Sequence, residues 1–584
     1  EAGDIDEARA LYTHAIAANE SNLAAHQALA RLALSRGDDA AAYQALHAVL
    51  DLLPLDAVER ITDLRRSLGE LALRLEDRIA ARHWYELVLS QLPMDVPALE
   101  ILLGLYEDAE AWPEATDALG RLSRLVHDPA QRAELLYRRG EIFRLGLGDD
   151  DAANDAYLKA ADLHAAHAPS LRRLIAYYFV EGDLASLKDV ARELEALNQP
   201  LEDAAVETGL GYALDGDEAR GTIVVALAKP TAARLAELLG LCKLTALTQL
   251  DPALRAAARA LGPTGRADLQ AALELRLTDP TARAANGTRL ALARLHDAAG
   301  DLDRARVHYS IAAFVEPSGL AAARLRDMGA PEPFALSVDE AVHPAAIGSL
   351  RDALVALAPL VLGLPPSPIE ADPAPAWVDK LRAVVQRTAG LDTFECAVVV
   401  DAPEVAWAEP TWPPRLVLVR RALSDEAVAR FGAARAMHAL AAGVPLVEGR
   451  AAEDVAGLLR AAAALFLPDL RAPDRDNAFL LAWQAELAAL ALDPGQLPEA
   501  QRSRVEIAVA SALVDGGAVA AAADYPRVER LTADRAAYAA TGDLRAALVA
   551  LTPLAAVGPD ARAAQLATGA IAELVAFALA RTQS

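Results

Sequence analysis

Residues 29–54 read LARLALSRGDDAAAYQALHAVLDLLP, and this stretch decides the fold. Apolar residues recur at helical spacing up to Gly37, and a second helical pattern begins after Asp38. Glycine ends a helix because it enters the left-handed region without a steric penalty, and aspartate caps the next helix by accepting from its first free N–H groups. Ala42, five residues beyond the glycine, lets two antiparallel helices approach closely. Leu46, nine beyond, fills the gap to the next pair, and Pro54 ends the unit.

The same turn, as Gly-Asp or with an acid standing in for glycine, recurs at Gly3, Gly37, Glu76, Glu110, Gly148, Gly182 and later Gly300. The first six are spaced 34, 39, 34, 38 and 34 residues apart. The fifth position after the turn is small at Ala8, Ala42, Ala81, Ala115, Ala153 and Ala305, with Leu187 departing. The ninth is larger at Tyr12, Leu46, Tyr85, Leu119, Tyr157 and Tyr309, with Ala191 departing. Pro54, Pro93 and Pro317 fall at the seventeenth position, and Leu29, Leu68, Leu102, Leu174 and Leu292 precede their turns by eight. This pattern resembles the tetratricopeptide (TPR) repeat over about residues 1–200 and 280–320. It predicts a TPR-type α-solenoid over 1–200, worn helical hairpins over 201–280 and a further hairpin over 281–330. Gly216-Asp217 reads as one more worn turn. Gly3 falls where a hairpin turns, so the chain is expected to begin inside a repeat and the natural protein to continue upstream.

The composition agrees with a mainly α protein. Hydrophobic residues make up 54% of the 584 residues but aromatics only 5%, so the apolar mass is Ala and Leu. The formal net charge of −26 disfavours duplex nucleic acid and anionic membranes as partners. The apolar stretch Leu350–Leu364 is too short and too interrupted to span a bilayer, and no signal peptide is visible. A cytoplasmic location is the default expectation. Cys242 and Cys396 are expected to be buried, and they form no disulfide framework.

Resemblance to TPR stacks implies that the first helix of each hairpin lines a concave, protein-binding face. The repeat frame puts Arg31, Arg66, Tyr137, Arg138, Arg144, Arg172 and Arg173 on or near it. Guanidinium forks there suit an acidic peptide or a C-terminal carboxylate. The competing reading pairs these arginines with acids such as Glu70, Glu134 and Glu141 along a solvated helix face.

Composition shifts after Gly329. Pro-rich stretches at 330–333, 365–368 and 371–375 mark a linker over 331–378 with one helix at about 344–362. A mostly helical domain over 379–584 follows. FECAVVV (394–400), Val405–Ala408 and RLVLV (415–419) read as a small three-stranded β-sheet. Helices are expected at about 424–442, 452–466, 476–492, 499–515, 523–541 and 559–581.

This order, with the strand ending at Val419, the helix ARFGAARAMHALAAG (429–443) and the later ERLTADRAAY (529–538), resembles the HtpX-like zinc metallopeptidases. Phe431 and Gly443 fit the flanks of their HExxH motif. Matched residue by residue, the first His position is Arg435, the catalytic Glu position Ala436, the second His position Ala439 and the third-ligand position Arg530. Shifting the frame by one makes His438 the second histidine but replaces the first His and the Glu with Ala434 and Arg435. Catalytic zinc needs about three protein ligands and a general base. The resemblance therefore implies a pseudoenzyme with no catalytic, cofactor-binding or metal-binding residues. His164 and His167 with Asp162 are a local cluster without further ligands nearby, read as loop residues. Trp84, Trp112, Trp377, Trp407, Trp412 and Trp483 read as packing anchors.

The expected function is that of a protein-binding scaffold. The alternatives are a divergent metallopeptidase and a structural subunit of a large multiprotein assembly.

Overall fold

The computed structural model describes residues 2–279, 286–346, 348–362, 373–389, 391, 394–400, 402, 404–411, 413–468, 478–552 and 558–582. The proline stretch 365–368, residues 371–372, Trp412 and the expected helix start at 476–477 lie outside the described residues. The chain is a mainly α, repeat-like solenoid followed by a helical domain with a small three-stranded sheet. It divides into two compact units, Glu1–Lys229 and Pro230–Ser584.

In the first unit a helix α1 (Ala2–Ala18) precedes a row of hairpins. These pair α2 (Leu23–Arg36) with α3 (Asp39–Asp51), α4 (Val58–Arg74) with α5 (Arg78–Gln91), and α6 (Val96–Asp108) with α7 (Trp112–Leu125). Next come α8 (Pro129–Ile142) with α9 (Asp150–Leu163), α10 (Ala168–Glu181) with α11 (Leu184–Ala196), and α12 (Ala205–Leu214) with α13 (Glu218–Ala228).

Every turn inside these hairpins is left-handed at one residue: Gly37, Glu76, Glu110, Gly148, Gly182 and Gly216. Glu76 and Glu110 adopt φ of 59° and 53° although they carry side chains, so the acidic stand-ins keep the glycine geometry at a steric cost. Asp38, Asp77, Asp149, Asp183 and Asp217 each accept from a backbone N–H in the first turn of the following helix. Ala111 offers no such cap.

Packing follows the repeat pattern. Ala42, Ala81, Ala115 and Ala153 are buried at the crossings, and Tyr85, Leu119 and Tyr157 are buried between hairpins. A Cβ on Gly69 would lie 2.7 Å from the Tyr85 ring, and one on Gly140 would lie 2.4 Å from the Tyr157 ring. Fully burying a ring or a leucine in this way contributes about 1.5–3 kcal/mol each.

Gly3 lies within α1. A five-residue π-helical segment, Phe143–Leu147, extends α8 and seats Gly146 against the Trp112 ring.

The second unit contains one more hairpin of the same construction. Helices Asn286–Asp297 and Leu302–Val315 flank Gly300, whose φ is 80°, and Asp301 caps the second helix through the Arg304 N–H. Ala305 and Tyr309 are buried as the pattern requires.

The sheet has the order β1-β3-β2. Strand β1 (Glu395–Val399) runs parallel to β3 (Arg415–Val419), with Glu395 opposite Arg415. Strand β2 (Ala406–Glu409) runs antiparallel to β3, with Ala406 opposite Leu418. Leu416 and Leu418 pack with Phe394, Phe431 and Met437 in one core, while Leu350, Leu354, Leu458 and Trp483 belong to another.

Helices stand at Gly348–Val361, Glu426–Ala441, Ala452–Phe466, Ala478–Ala489, Glu499–Val514 and Tyr525–Thr541. The continuous helix expected over 559–581 is instead two, Pro559–Gln565 and Gly569–Arg581, bent by 72°. Gly569, with φ of 49°, supplies the left-handed residue at the break. Among the described residues no single helix is long and apolar enough to cross a membrane.

Candidate functional site

The first helices of the hairpins carry the predicted arginines, and most of them bridge neighbouring repeats. Arg66 on α4 lies between Asp63, at 3.3 Å, and Asp95, at 2.7 Å, the residue that caps α6. Arg138 on α8 reaches back 2.8 Å to Glu107 on α6. Arg173 on α10 meets Glu141 on α8 at 2.8 Å and Asp203 at 3.1 Å. Arg172 pairs with Glu202 at 2.7 Å and donates to the Pro200 carbonyl. Arg31 is exposed and donates to the Gln27 carbonyl of its own helix.

Glu141 is the hub of this row. Its carboxylate accepts from Arg144, Arg173 and the Tyr157 hydroxyl. Burial alone would push the Glu141 pKa up, but these donors outweigh it and hold the group at about 2. Burial pushes the Tyr157 phenol well up, and the adjacent carboxylate adds to the effect. The Tyr137 ring stands 5.8 Å from Tyr157 and 5.6 Å from His167. Tyr137, Arg144 and Arg173 therefore gather at one place, whereas Arg31 and Arg66 belong to the earlier helices α2 and α4. The local charge there is balanced, Arg144 and Arg173 against Glu141 and Asp203. Of the acids read from sequence, Glu141 is an arginine partner, while Glu134 meets His167 at 3.2 Å.

His167 uses both ring nitrogens, one on Ser170 at the start of α10 and one on Glu134. Among the described residues no group of three or more His, Cys, Asp or Glu is placed to hold a metal ion. Cys242 and Cys396 are free thiols, pushed up to about 12 and about 11 by burial. Trp84, Trp377 and Trp483 are buried. The indole N–H of Trp84 donates to Tyr43, and that of Trp483 to Asp454. Trp112 and Trp407 are half-buried.

The second unit holds a cleft of about 610 Å³ against strand β2. Arg435, Ala436 and Ala439 of the Glu426–Ala441 helix line it together with Arg530 of the Tyr525–Thr541 helix. The cleft thus collects residues nearly a hundred positions apart. Arg435 donates to Asp534, and Arg530 pairs with Glu448. Burial pulls the Arg530 pKa down, and the neighbouring Arg435 charge pulls the same way. His438 is not among the lining residues; it is buried, and its pKa is pushed down to about 4 by burial and by Arg351. His343 lies elsewhere on the unit, its Nε2 3.4 Å from Glu573.

No family model matches the chain. No curated protein matches it either. Among solved structures it is similar to a tetratricopeptide repeat protein from Parabacteroides merdae, at 19% identity over 42% of this chain and 96% of that one, with a TM-score of 0.21. It is similar to the TPR domain of P58(IPK), at 16% identity over 56% and 95% of the two chains, with a TM-score of 0.23. A chain of the Naa15/Naa10 structure bound to HypK-THB gives 15% identity over 98% and 92%, with a TM-score of 0.28. Likeness at that level carries no argument. The left-handed turns, aspartate caps and buried small residues at repeat spacing are what make the architecture a TPR-like, mainly helical repeat.

Proposed function

We propose that this chain is a non-catalytic scaffold that holds other proteins on its helical repeats, and that its second unit keeps the layout of an HtpX-like metallopeptidase without the chemistry. One observation carries the second half. The positions matched to the two zinc histidines, the catalytic glutamate and the third ligand share one cleft, and they are Arg435, Ala439, Ala436 and Arg530. Two guanidinium groups repel a dication and offer no lone pair to it. The nearby carboxylates, Asp534 and Glu448, are engaged by those same arginines.

The docking face is the row of first helices bearing Arg31, Arg66, Tyr137, Arg138, Arg144, Arg172 and Arg173. A partner with an acidic segment or a terminal carboxylate would exchange with the aspartates and glutamates that now hold these arginines. Such exchange costs little where the pair is exposed, as at Arg138 and Glu107. It costs more at the half-buried Glu141.

The test uses the full chain as bait in native extract, beside an Arg138→Glu, Arg172→Glu variant. Proteins retained by the wild type and lost by the variant support the reading. One tightly held zinc per chain, together with peptide cleavage abolished by chelation, overturns it.

A further inference from the structure

A second pocket, of about 400 Å³, lies between the Leu302–Val315 hairpin helix and the start of the Leu544–Leu551 helix. We infer that it binds a phosphate monoester, either a small molecule or a phosphorylated side chain. Three guanidiniums line it, those of Arg306, Arg326 and Arg545, against the single carboxylate of Asp543. In a chain of formal net charge −26 that local excess of positive charge runs against the average.

The arginines are not consumed by other contacts. Arg306 is held by backbone carbonyls, donating to Gly329 at 3.0 Å and to Met328 at 2.9 Å. Carbonyls orient the guanidinium without cancelling its charge, and further N–H donors remain on it. Arg326 is exposed, and among the described residues neither it nor Arg306 has a carboxylate within ion-pair distance. Arg545 has a weak partner, Asp425 at 3.7 Å. The Asp543 carboxylate is already occupied as a helix cap, accepting from the Ala546 N–H at 2.9 Å.

Ser310 is 4% exposed and lines the pocket. Its hydroxyl can donate to a phosphate oxygen, and Pro317, Ala322 and Leu325 offer an apolar wall for the carbon part of the ester. A dianion with three terminal oxygens matches several forked donors better than a single carboxylate does.

The experiment is calorimetric titration of the full chain with phenyl phosphate, with a phosphoserine peptide and with benzoate, at low and raised salt. One saturable site for a phosphate ester, weakened by salt, is expected. Tighter binding of the peptide would name a phosphorylated protein as the source, and tighter binding of phenyl phosphate a small molecule. Arg326→Ala should weaken binding about tenfold or more, because a hydrogen bond to a charged group is lost. Its circular dichroism and melting temperature should be unchanged, since Arg326 is exposed and no ion pair ties it to another element among the described residues. No saturable phosphate binding, benzoate binding more tightly than the esters, or an Arg326→Ala variant that binds as the wild type would each overturn the assignment.

Discussion

Arg435 donates its Nε hydrogen to the carboxylate of Asp534, which is 1% exposed and lies 99 positions later in the chain. This pair joins the two helices that wall the cleft. Removing one partner of such a pair leaves the other charge buried. Arg435→Ala should therefore lose on the order of 3 kcal/mol in urea unfolding. Burial already raises the Asp534 pKa, so the deficit should shrink as pH falls and the carboxyl accepts a proton. An Arg435→Met, Asp534→Leu double variant should recover most of the loss.

The left-handed turns make a paired prediction. Glu110 holds φ of 53° and has no glycine freedom, so Glu110→Gly should stabilise the chain by about 1 kcal/mol. At Gly37 nothing stands within 4 Å of an added Cβ, so Gly37→Ala probes the backbone alone. It should destabilise by about 1 kcal/mol. Both are read from denaturant midpoints at constant slope.

Glu141 ties α8 to α10. Glu141→Gln keeps the shape but loses the charge that holds Arg144 and Arg173, and should cost about 1.5–3 kcal/mol at neutral pH. The folded pKa of Glu141 lies below its ordinary value, at about 2. Its contribution is therefore complete above the ordinary carboxylate range and is lost as pH falls toward 2. Wild type and variant should converge in stability across that window, as followed by thermal melting.

His308 is pushed down to about 3 by burial, with Arg289, His296 and Arg304 adding repulsion. The unfolded chain takes up that proton near pH 6.5 and the folded chain does not. Stability should fall as pH drops below that value, and His308→Gln should flatten the slope between pH 6.5 and 4 by on the order of 2 kcal/mol overall. An unchanged slope in the variant would show that His308 does not carry this term.

The repeat turns were legible because each rests on a left-handed residue, followed by a capping aspartate at all but Glu110, where Ala111 stands. That logic reached even Glu76 and Glu110, whose acids replace glycine. The α12–α13 hairpin was harder to read because its crossing uses Gly221 where most other repeats place alanine. There a Cβ on Gly221 would lie 2.6 Å from the Gly209 carbonyl oxygen, and one on Gly209 would lie 2.6 Å from the Val225 side chain. The bend in the last helix rests on Gly569, which an otherwise unbroken apolar pattern conceals.

The arginine partners were only partly legible. Glu141 was within view as a helix neighbour of Arg144. The bridges from Arg66 to Asp95 and from Arg138 to Glu107 span one repeat each, so they depend on how hairpins stack. The meeting of Arg435 with Arg530 is set by tertiary structure and has no local signal. The pocket around Arg306 had none either.

Hydrogen-exchange mass spectrometry of the full chain, alone and with a partner captured from native extract, addresses the protein-binding claim most directly. Slowed exchange should concentrate on α4, α8 and α10, the helices that carry Arg66, Arg138 and Arg173. Protection absent from those helices and confined to the β2 cleft, with a peptide cleaved during the incubation, would contradict it.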